Sequence, residues 1–369
     1  MIRAVAVILP LSLIACSGIA KPPMSGLPFE ITELARLNDP WAMTFLPDGR
    51  ALITEKGGTI KLWQGGKLGQ SGKLSVVRGT PKVAVGGQGG LGDIVAHPEF
   101  ASNSLVYLSW IEQGSGGKGA VVGRAKLSQA ALADLQVIWR QSPKTSGSGH
   151  FGHRIAFGPD GKLYISSGDR QKFDPAQDMA GNLGKIVRLN DDGSVPADNP
   201  FAASGGVTAQ IWSLGHRNPL GLSFDGDRRL WEVEMGPQGG DEVNLITRGA
   251  NYGWPRASNG SHYDGRDIPD HKPGDGYTAP KVWWNPSISP GGMIIYSGAL
   301  FAQWKGDAFI AALGGTALIR VDLAGVKASK GDEWPMNARI RDVEQAPDGA
   351  IWLLEDGANA RLLRLIPKG

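Results

Sequence analysis

Six segments of this chain repeat one pattern, in which an apolar strand, a tight polar turn and a second apolar strand follow one another. Four of the turns read Pro-Asp-Gly or Asp-Gly, and the other two copies are looser. Such a turn between alternating apolar residues favours a β-hairpin, because Gly adopts the positive φ that the turn requires. The copies, each of which predicts a hairpin, span residues 42–55, 93–110, 154–169, 221–234, 298–313 and 342–356.

Hairpins that recur at intervals of roughly 40 to 80 residues are typical of the radial blades of a propeller. Gly accounts for 54 of the 369 residues, about twice the roughly 7% of an average protein, which agrees with many tight turns. We therefore predict an all-β, six-bladed β-propeller formed by residues 29–367. A large β-sandwich or barrel is the alternative, but evenly dispersed turns fit it less well. Only residues 128–139 have apolar spacing that favours a helix.

The N-terminal residues resemble a bacterial lipoprotein signal. Arg3 precedes an apolar run over residues 4–15, which is shorter than the roughly 20 residues that a membrane-spanning helix needs. We therefore predict a signal peptide over residues 1–15. The following LIAC sequence resembles a lipobox and ends at Cys16, the only cysteine of the chain.

A single cysteine cannot form an internal disulfide, and a buried core thiol is the alternative interpretation of Cys16. Its position after an apolar run favours lipidation, with residues 16–28 as a tether. Ser17 follows in place of Asp, which in lipoproteins favours the outer membrane. We expect a protein anchored through Cys16 on the periplasmic side of that membrane.

Charge and motif content argue against several functional classes. The formal charge is only +3, with 38 basic and 35 acidic residues dispersed along the chain, so nucleic acid is not an expected partner. The chain contains no G-x-S-x-G, H-E-x-x-H or G-x-x-x-x-G-K-[ST] sequence. Residues 87–92 satisfy G-x-G-x-x-G, but residues 93–100 predict a strand where a dinucleotide site needs a helix.

Of the six histidines, only His150 and His153 are close in sequence. On an extended segment they point to opposite faces, which argues against joint metal ligation. We expect one of them to face a cavity. The alternative for each histidine is a buried ring that bonds to a backbone carbonyl.

Two pairs of polar residues suggest binding of an anion. Arg217 and Asn218 are adjacent, whereas Arg339 and Arg341 alternate and so share one face of a strand. Like charges on one face repel unless an anion lies between them. Guanidinium groups bind carboxylates in a bidentate manner, so a ligand with several carboxylates is one interpretation. A solvated face with a carboxylate neighbour such as Asp342 is the other.

Five segments, in this order, carry a family resemblance: GQGGLGDIVAHPEF, GHFGHRIAFGPDGKLYISSGD, LGHRNPLGL, EMGPQGGDEVNLI with ANYGWP, and RIRDVEQAPDG. Together they resemble the soluble sugar dehydrogenases that depend on pyrroloquinoline quinone (PQQ), the glucose/sorbosone or aldose dehydrogenase family. The resemblance covers almost all of the chain after the signal-like segment. It implies a six-bladed propeller, in agreement with the repeat.

The resemblance also implies a set of site residues. His150 matches the catalytic base of the family, and Gly236 and Pro237 match the pair whose backbone carbonyls hold Ca²⁺. Arg217 is expected to stabilise charge on the quinone oxygen as well as to bind the cofactor. The residues that match cofactor contacts are Gln88, Arg217, Asn218, Arg339 and Arg341, with Ser287 as a further contact.

Two positions depart from the glucose-type pattern. Gly314 stands where those members have a cofactor-contacting Lys, so one positive charge is missing or comes from elsewhere. Gly149 stands where they have an Asp, and the following HFG is more similar to the aldose-type branch. Substrate identity and cofactor affinity therefore do not follow from the resemblance.

The resulting expectation is an oxidoreductase that converts the C1 hydroxyl of an aldose to a lactone, with PQQ and Ca²⁺ as cofactors and an external electron acceptor. Two other classes remain open. One is a non-catalytic envelope propeller that binds carbohydrate or protein, which His150 and Arg217 on opposite rims would favour. The other is a Ca²⁺-dependent lactonase, although such hydrolases need acidic and Asn side chains around the metal.

Overall fold

The computed structural model describes residues 26–65 and 72–369. Within them, six four-stranded antiparallel sheets form the blades of a β-propeller, which confirms the predicted fold. The signal peptide, Cys16 and most of the tether lie outside the described residues. No helix in the described ranges is both long and apolar enough to cross a membrane.

The blades follow one another along the chain. Blades 1 to 3 consist of β2 Pro40–Phe45, β3 Ala51–Glu55, β4 Thr59–Gln64, β5 Lys73–Val77; β6 Leu91–Ala96, β7 Leu105–Gly114, β8 Gly117–Ser128, β9 Ala131–Arg140; and β10 Gly152–Phe157, β11 Leu163–Ser167, β12 Lys185–Leu189, β13 Ile211–Leu214. Blades 4 and 5 consist of β14 Pro219–Phe224, β15 Leu230–Glu234, β17 Asp241–Ile246, β19 Val282–Trp284; and β20 Pro290–Ile295, β21 Ala308–Ala312, β22 Ala317–Ala324, β23 Lys327–Pro335.

Blade 6 joins the two ends of the described chain. It consists of β24 Ile340–Gln345, β25 Ile351–Glu355, β26 Ala360–Pro367 and the first strand, β1 Phe29–Leu37. Strand β1 pairs with β26, so the ring is closed by backbone hydrogen bonds. Outside the blades lie the β16 Gln238–Gly239 and β18 Gly260–Ser261 pair, the helix α1 Phe100–Asn103, and single 3₁₀ turns at Asp174–Ala176, Ala202–Ser204, Thr208–Gln210 and Ala302–Trp304.

Apolar side chains fill each of the six interfaces between neighbouring blades. Each such side chain contributes roughly 1.5–3 kcal/mol when fully buried. Examples, in order around the ring from blades 1 and 2, are Leu52 with Leu108, Tyr107 with Ile155, Ile186 with Leu222, Trp231 with Ile310, Phe309 with Val343, and Trp352 with Met43.

One buried arginine joins all six blades at the propeller axis. Arg154 lies on the inner strand β10, and its guanidinium donates hydrogen bonds to two carboxylates and two backbone carbonyls. It also lies 4.2 Å from the centre of a Trp ring. These partners come one from each of the other five blades: Trp41, Asp93, Leu220, Gly291 and Asp342. The charge is buried but paired, which is the condition under which such burial is tolerated.

A common register positions the loops at one end of the axis. In five blades the first residue of the inner strand pairs with the last residue of the second strand, and a bulge follows. The residue after the second strand is therefore equivalent in these blades. In blades 1, 3, 4, 5 and 6 this residue is, respectively, Lys56, Gly168, Met235, Leu313 and Asp356.

Two details of the sequence interpretation were wrong. Residues 128–139 form the end of β8 and most of β9 rather than a helix. The helical spacing arises because bulges interrupt this edge pair, and Gln129 and Asp134 have positive φ. In blade 5 the inner strand is β20, which precedes the predicted copy at 298–313, so only β21 of that hairpin lies within the copy.

Candidate active site

A cavity of about 260 Å³ lies at the end of the axis where the inner strands begin. Three of the predicted cofactor residues line it, namely Gln88, Arg339 and Arg341. Lys56 and Asp356 also line it, so the charged groups around the space are three cations and one carboxylate. The net charge favours an anionic ligand.

The carboxylate between the two arginines is Asp356. It accepts hydrogen bonds from Nε of Arg339 at 2.8 Å and from Nε and Nη2 of Arg341 at 3.0 and 2.8 Å. Burial alone raises the pKa of Asp356, but the charges of Arg341 and Arg339 outweigh burial and lower it. The expected neighbour Asp342 instead pairs with Arg154. The alternating arginines are therefore held together by an internal anion and still face the cavity.

His150 forms a hydrogen-bonded pair with Asp169. Its Nδ1 lies 2.7 Å from Oδ1 of Asp169, and both side chains are buried. The carboxylate also accepts hydrogen bonds from Nε1 of Trp254 and from the backbone N–H of Gln171, both at 2.7 Å. Because an ionised carboxylate only accepts, Nδ1 of His150 carries the proton.

This tautomer leaves Nε2 of His150 as an unprotonated acceptor. Among the described residues, none hydrogen-bonds to Nε2. Burial lowers the pKa of His150 below its usual value, and the hydrogen bond that His150 donates to Asp169 offsets part of that effect. The imidazole is therefore neutral at neutral pH and is able to accept a proton.

The backbone around this pair adopts unusual conformations. His150 has a φ of 48°, and Arg170, Gln171 and Phe173 have φ values of 58°, 59° and 63°. Positive φ is uncommon in residues other than glycine, and residues with such strained backbone cluster at functional sites. The backbone N–H of His150 donates to Oε1 of Gln88 at 2.7 Å, which joins the histidine to the cavity wall.

His153 has a separate environment, as the sequence predicted. It lines the cavity, stacks on Trp41 with ring centres 4.7 Å apart, and bonds through Nδ1 to Oγ of Ser109 at 2.7 Å. Burial, followed by the charge of Arg154, lowers its pKa to about 3. His153 is therefore a neutral wall residue, and the two histidines have no ligand position in common.

Arg217 lies close to His150. The backbone carbonyl of Arg217 accepts a hydrogen bond from the N–H of Asp169, the residue that binds His150. The two predicted catalytic residues therefore meet at Asp169 rather than lying on opposite rims. A position of His150 and Arg217 on opposite rims would have favoured a non-catalytic propeller, and the structure does not have that arrangement.

A second, smaller cavity contains the other predicted residues. Arg217, Gly236 and Pro237 line it together with Glu234 and Glu242. Nη1 of Arg217 donates to the carbonyl oxygens of Met235 and Gly236. This cavity therefore has carbonyl and carboxylate oxygens around a guanidinium group.

Asn218 and Ser287 complete the predicted set. Asn218 is fully buried, and its Oδ1 accepts from the N–H of Gly152 at 3.2 Å while its Nδ2 has no partner among the described residues. Neither Asn218 nor Ser287 is among the described residues that line either cavity, and the hydroxyl of Ser287 donates to Oδ2 of Asp241 at 2.7 Å. The cofactor contacts predicted for these two residues therefore stay predictions.

Four residues near the site were missed from the sequence: Lys56, Asp169, Trp254 and Tyr263. Tyr263 is 72% exposed, and its hydroxyl lies 3.3 Å from Nη2 of Arg217. Asp169 ends the hairpin copy 154–169, and Trp254 lies in the ANYGWP segment. Their presence in these quoted segments was the available signal, but the contacts of Asp169 with His150 and of Trp254 with Asp169 depend on the folded loops.

The model of the Glucose / Sorbosone dehydrogenase family matches residues 37–364 of the chain. The chain belongs to this family. It is 40% identical over 343 residues to the aldose sugar dehydrogenase YliI of Escherichia coli K12, covering 90% of this chain and 91% of the relative. The predicted family resemblance is confirmed.

Solved structures of similar proteins have the same fold. The soluble aldose sugar dehydrogenase of Escherichia coli in the apo-form superposes with a TM-score of 0.87 and 39% identity, covering 92% of this dehydrogenase-family chain and all of the other. The PQQ-bound aldose sugar dehydrogenase of Streptomyces coelicolor superposes with a TM-score of 0.76 and 28% identity, covering 94% and 100%.

Proposed function

We propose that this chain is a PQQ-dependent aldose dehydrogenase, which oxidises the C1 hydroxyl of a sugar to a lactone and passes the electrons to an external acceptor. The observation that carries the proposal is the His150–Asp169 pair. The hydrogen bond between them leaves Nε2 of His150 as a neutral acceptor. His150 does not itself line the cation-lined cavity, but its backbone N–H bonds to Gln88, and its neighbours Phe151 and Gly152 line that cavity. Family membership and the PQQ-bound relative support the same conclusion.

The cavity fits PQQ, a flat aromatic quinone that carries several carboxylates. Arg339, Arg341 and Lys56 supply cations, and guanidinium groups bind carboxylates strongly. Arg217 Nε and Asn218 Nδ2 are buried donors without partners among the described residues. A buried donor without a partner costs free energy. Neither residue lines the main cavity, so these donors would meet PQQ only after the cavity wall adjusts.

The second cavity fits Ca²⁺, which prefers oxygen ligands from carbonyl and carboxylate groups. The carbonyls of Gly236 and Pro237 would hold the ion, with Glu234 and Glu242 beside them. Burial, and then the charge of Glu234, raises the pKa of Glu242, so a cation is compatible with this environment. The Gly236 oxygen bonds Arg217 but retains a second lone pair.

In this proposal His150 acts as the general base. Its Nε2 accepts the proton of the C1 hydroxyl, while Asp169 holds the ring and stabilises the imidazolium that forms. Arg217 is fixed beside the base and stabilises developing negative charge through its guanidinium group. When bound, PQQ supplies the acceptor for the hydride that leaves C1, and Ca²⁺ supplies a Lewis acid.

The test is reconstitution of the purified chain without residues 1–16. PQQ, Ca²⁺, both or neither are added, and dye reduction is followed with a panel of aldoses and with a lactone as product standard. Activity that requires both additions, with lactone formed, is expected. If the protein binds neither PQQ nor Ca²⁺ and oxidises no sugar, a non-catalytic envelope binding protein becomes the favoured function.

We also propose that Cys16 is lipidated and anchors the dehydrogenase on the periplasmic side of the outer membrane. The basis is the LIAC sequence after an apolar run. Cys16→Ser should move the protein from the membrane fraction to the soluble fraction. A variant that still partitions with membranes would contradict the anchor.

A further inference from the structure

Lys56 occupies a position that the propeller repeat directs towards the main cavity. It follows strand β3 immediately, at the place that Met235, Leu313 and Asp356 occupy in their own blades. These four residues line the cavity, whereas Gly168, at the equivalent position of blade 3, does not. Of the four, only Lys56 carries a positive charge. The repeat of the fold explains its position, whereas its charge comes from the amino acid at that position of this chain.

The backbone of Lys56 is held firmly. Its N–H donates to the carbonyl of Asp39 at 2.9 Å, and its carbonyl accepts from the N–H of Leu91 at 3.0 Å. The first bond lies within blade 1, and the second joins blade 1 to the first strand of blade 2. The side chain therefore extends from a fixed point on the cavity wall.

The ammonium group has one anionic partner, which lies outside the cavity lining. Nζ of Lys56 is 3.2 Å from Oδ2 of Asp39, and the side chain of Asp39 is 40% exposed. The side chain of Lys56 is only 18% exposed, but an ion pair whose carboxylate faces solvent is weakened, because water and salt screen it. A carboxylate in the cavity can therefore compete for the ammonium group, which has three donor hydrogens.

Position 314, which follows the second strand of blade 5, cannot supply a charge without rearrangement. A Cβ at Gly314 would lie 2.8 Å from Oγ of Ser289. The backbone N–H of Ser289 donates to Oδ2 of Asp241 at 2.7 Å, and its Oγ lies 3.2 Å from Oγ of Ser287. The space beside Gly314 is thus filled by Ser289, and the remaining cations at the cavity are Lys56, Arg339 and Arg341.

We propose that Lys56 is a cofactor-binding residue, whose ammonium group contacts a carboxylate of PQQ and provides the positive charge that position 314 lacks. The inference rests on the proposed function, since it assumes that PQQ occupies the main cavity. Arg339 and Arg341 share the charge of Asp356. Lys56 shares no cavity carboxylate, and this leaves its charge available to the ligand.

The test measures PQQ affinity by quenching of tryptophan fluorescence in the presence of Ca²⁺, without substrate or turnover. Lys56→Met should weaken binding about tenfold, the size of one hydrogen bond between charged groups. Lys56→Arg should bind within about threefold of wild type, because it retains the charge. Lys61→Met is the matched control, since Lys61 lies in the same blade and pairs with Glu55 outside the cavity.

Asp39→Asn separates cofactor binding from a structural role of the ion pair. It removes the partner of Lys56 but keeps the charge, so PQQ should bind at least as tightly as to wild type. Equal affinity of wild type and Lys56→Met, or equal loss in Asp39→Asn and Lys56→Met, would overturn the assignment of Lys56 alone. Failure of the wild type to bind PQQ would instead overturn the proposed function, and this inference with it.

Discussion

Oδ1 of Asp169 lies 2.7 Å from Nδ1 of His150, and the same carboxylate accepts a hydrogen bond from the indole N–H of Trp254. Three chain segments thus meet at one buried carboxylate. The Asp169 contact determines which nitrogen of His150 carries the proton and leaves Nε2 as the acceptor. Replacement of the base His150 and replacement of its positioning residue Asp169 should therefore have different effects.

His150→Ala is expected to lower kcat by about 10² to 10⁴-fold, the usual contribution of a general base. PQQ affinity should remain near wild type, because the cations of the main cavity are unchanged. Steady-state kinetics and fluorescence titration measure the two effects. His97→Ala is the control, since His97 bonds to Asn103 away from the cavity. Full turnover by the His150 variant would exclude it as the base.

Asp169→Asn should change the pH profile as well as the rate. The base acts when deprotonated, so activity falls as pH decreases through the pKa of His150. Burial places that pKa below 6.5, and Asp169 raises it in part. Loss of the carboxylate should therefore move the acid limb of kcat/KM to lower pH and reduce the plateau at least about tenfold. A limb that moves to higher pH would contradict this role.

The two arginines that bind Asp356 should contribute unequally to PQQ affinity. Arg341 is 13% exposed and donates twice to Asp356, whereas Arg339 is 52% exposed and donates once. Because screening weakens exposed charges, Arg341→Ala should weaken binding more than Arg339→Ala. The double replacement should weaken it most in a fluorescence titration. Unchanged affinity in the double variant would remove both residues from the cofactor site.

Arg154→Met should destabilise the fold by about 3–5 kcal/mol, because it leaves Asp93 and Asp342 buried without their cation. Denaturant unfolding measures the change. Arg266→Ala is the control, since Arg266 forms an exposed pair with Asp264 and should leave the unfolding midpoint unchanged. Equal midpoints for the Arg154 variant and wild type would show that the axial contacts add little to stability.

Much of the fold could be predicted because its information is local. The turn at Asp48 and Gly49 in blade 1 has counterparts in blades 3, 4 and 6, and each predicts its hairpin without knowledge of distant residues. Residues 128–139 show the limit of such reasoning. These residues have helical spacing but pair with β8, and two bulges interrupt that pairing. Strand pairing is a tertiary effect, and here it outweighs the local pattern.

The amino-acid sequence by itself determined the repeat, the family and the identity of the main polar groups, including His150, Arg217 and Arg341. Only the tertiary structure decided their partners. Asp169 joins His150, Asp356 rather than Asp342 lies between the arginines, and Lys56 reaches the cavity. The physical reason is that hydrogen bonds and ion pairs depend on loops from different blades meeting at one end of the axis. A linear pattern does not specify those distances.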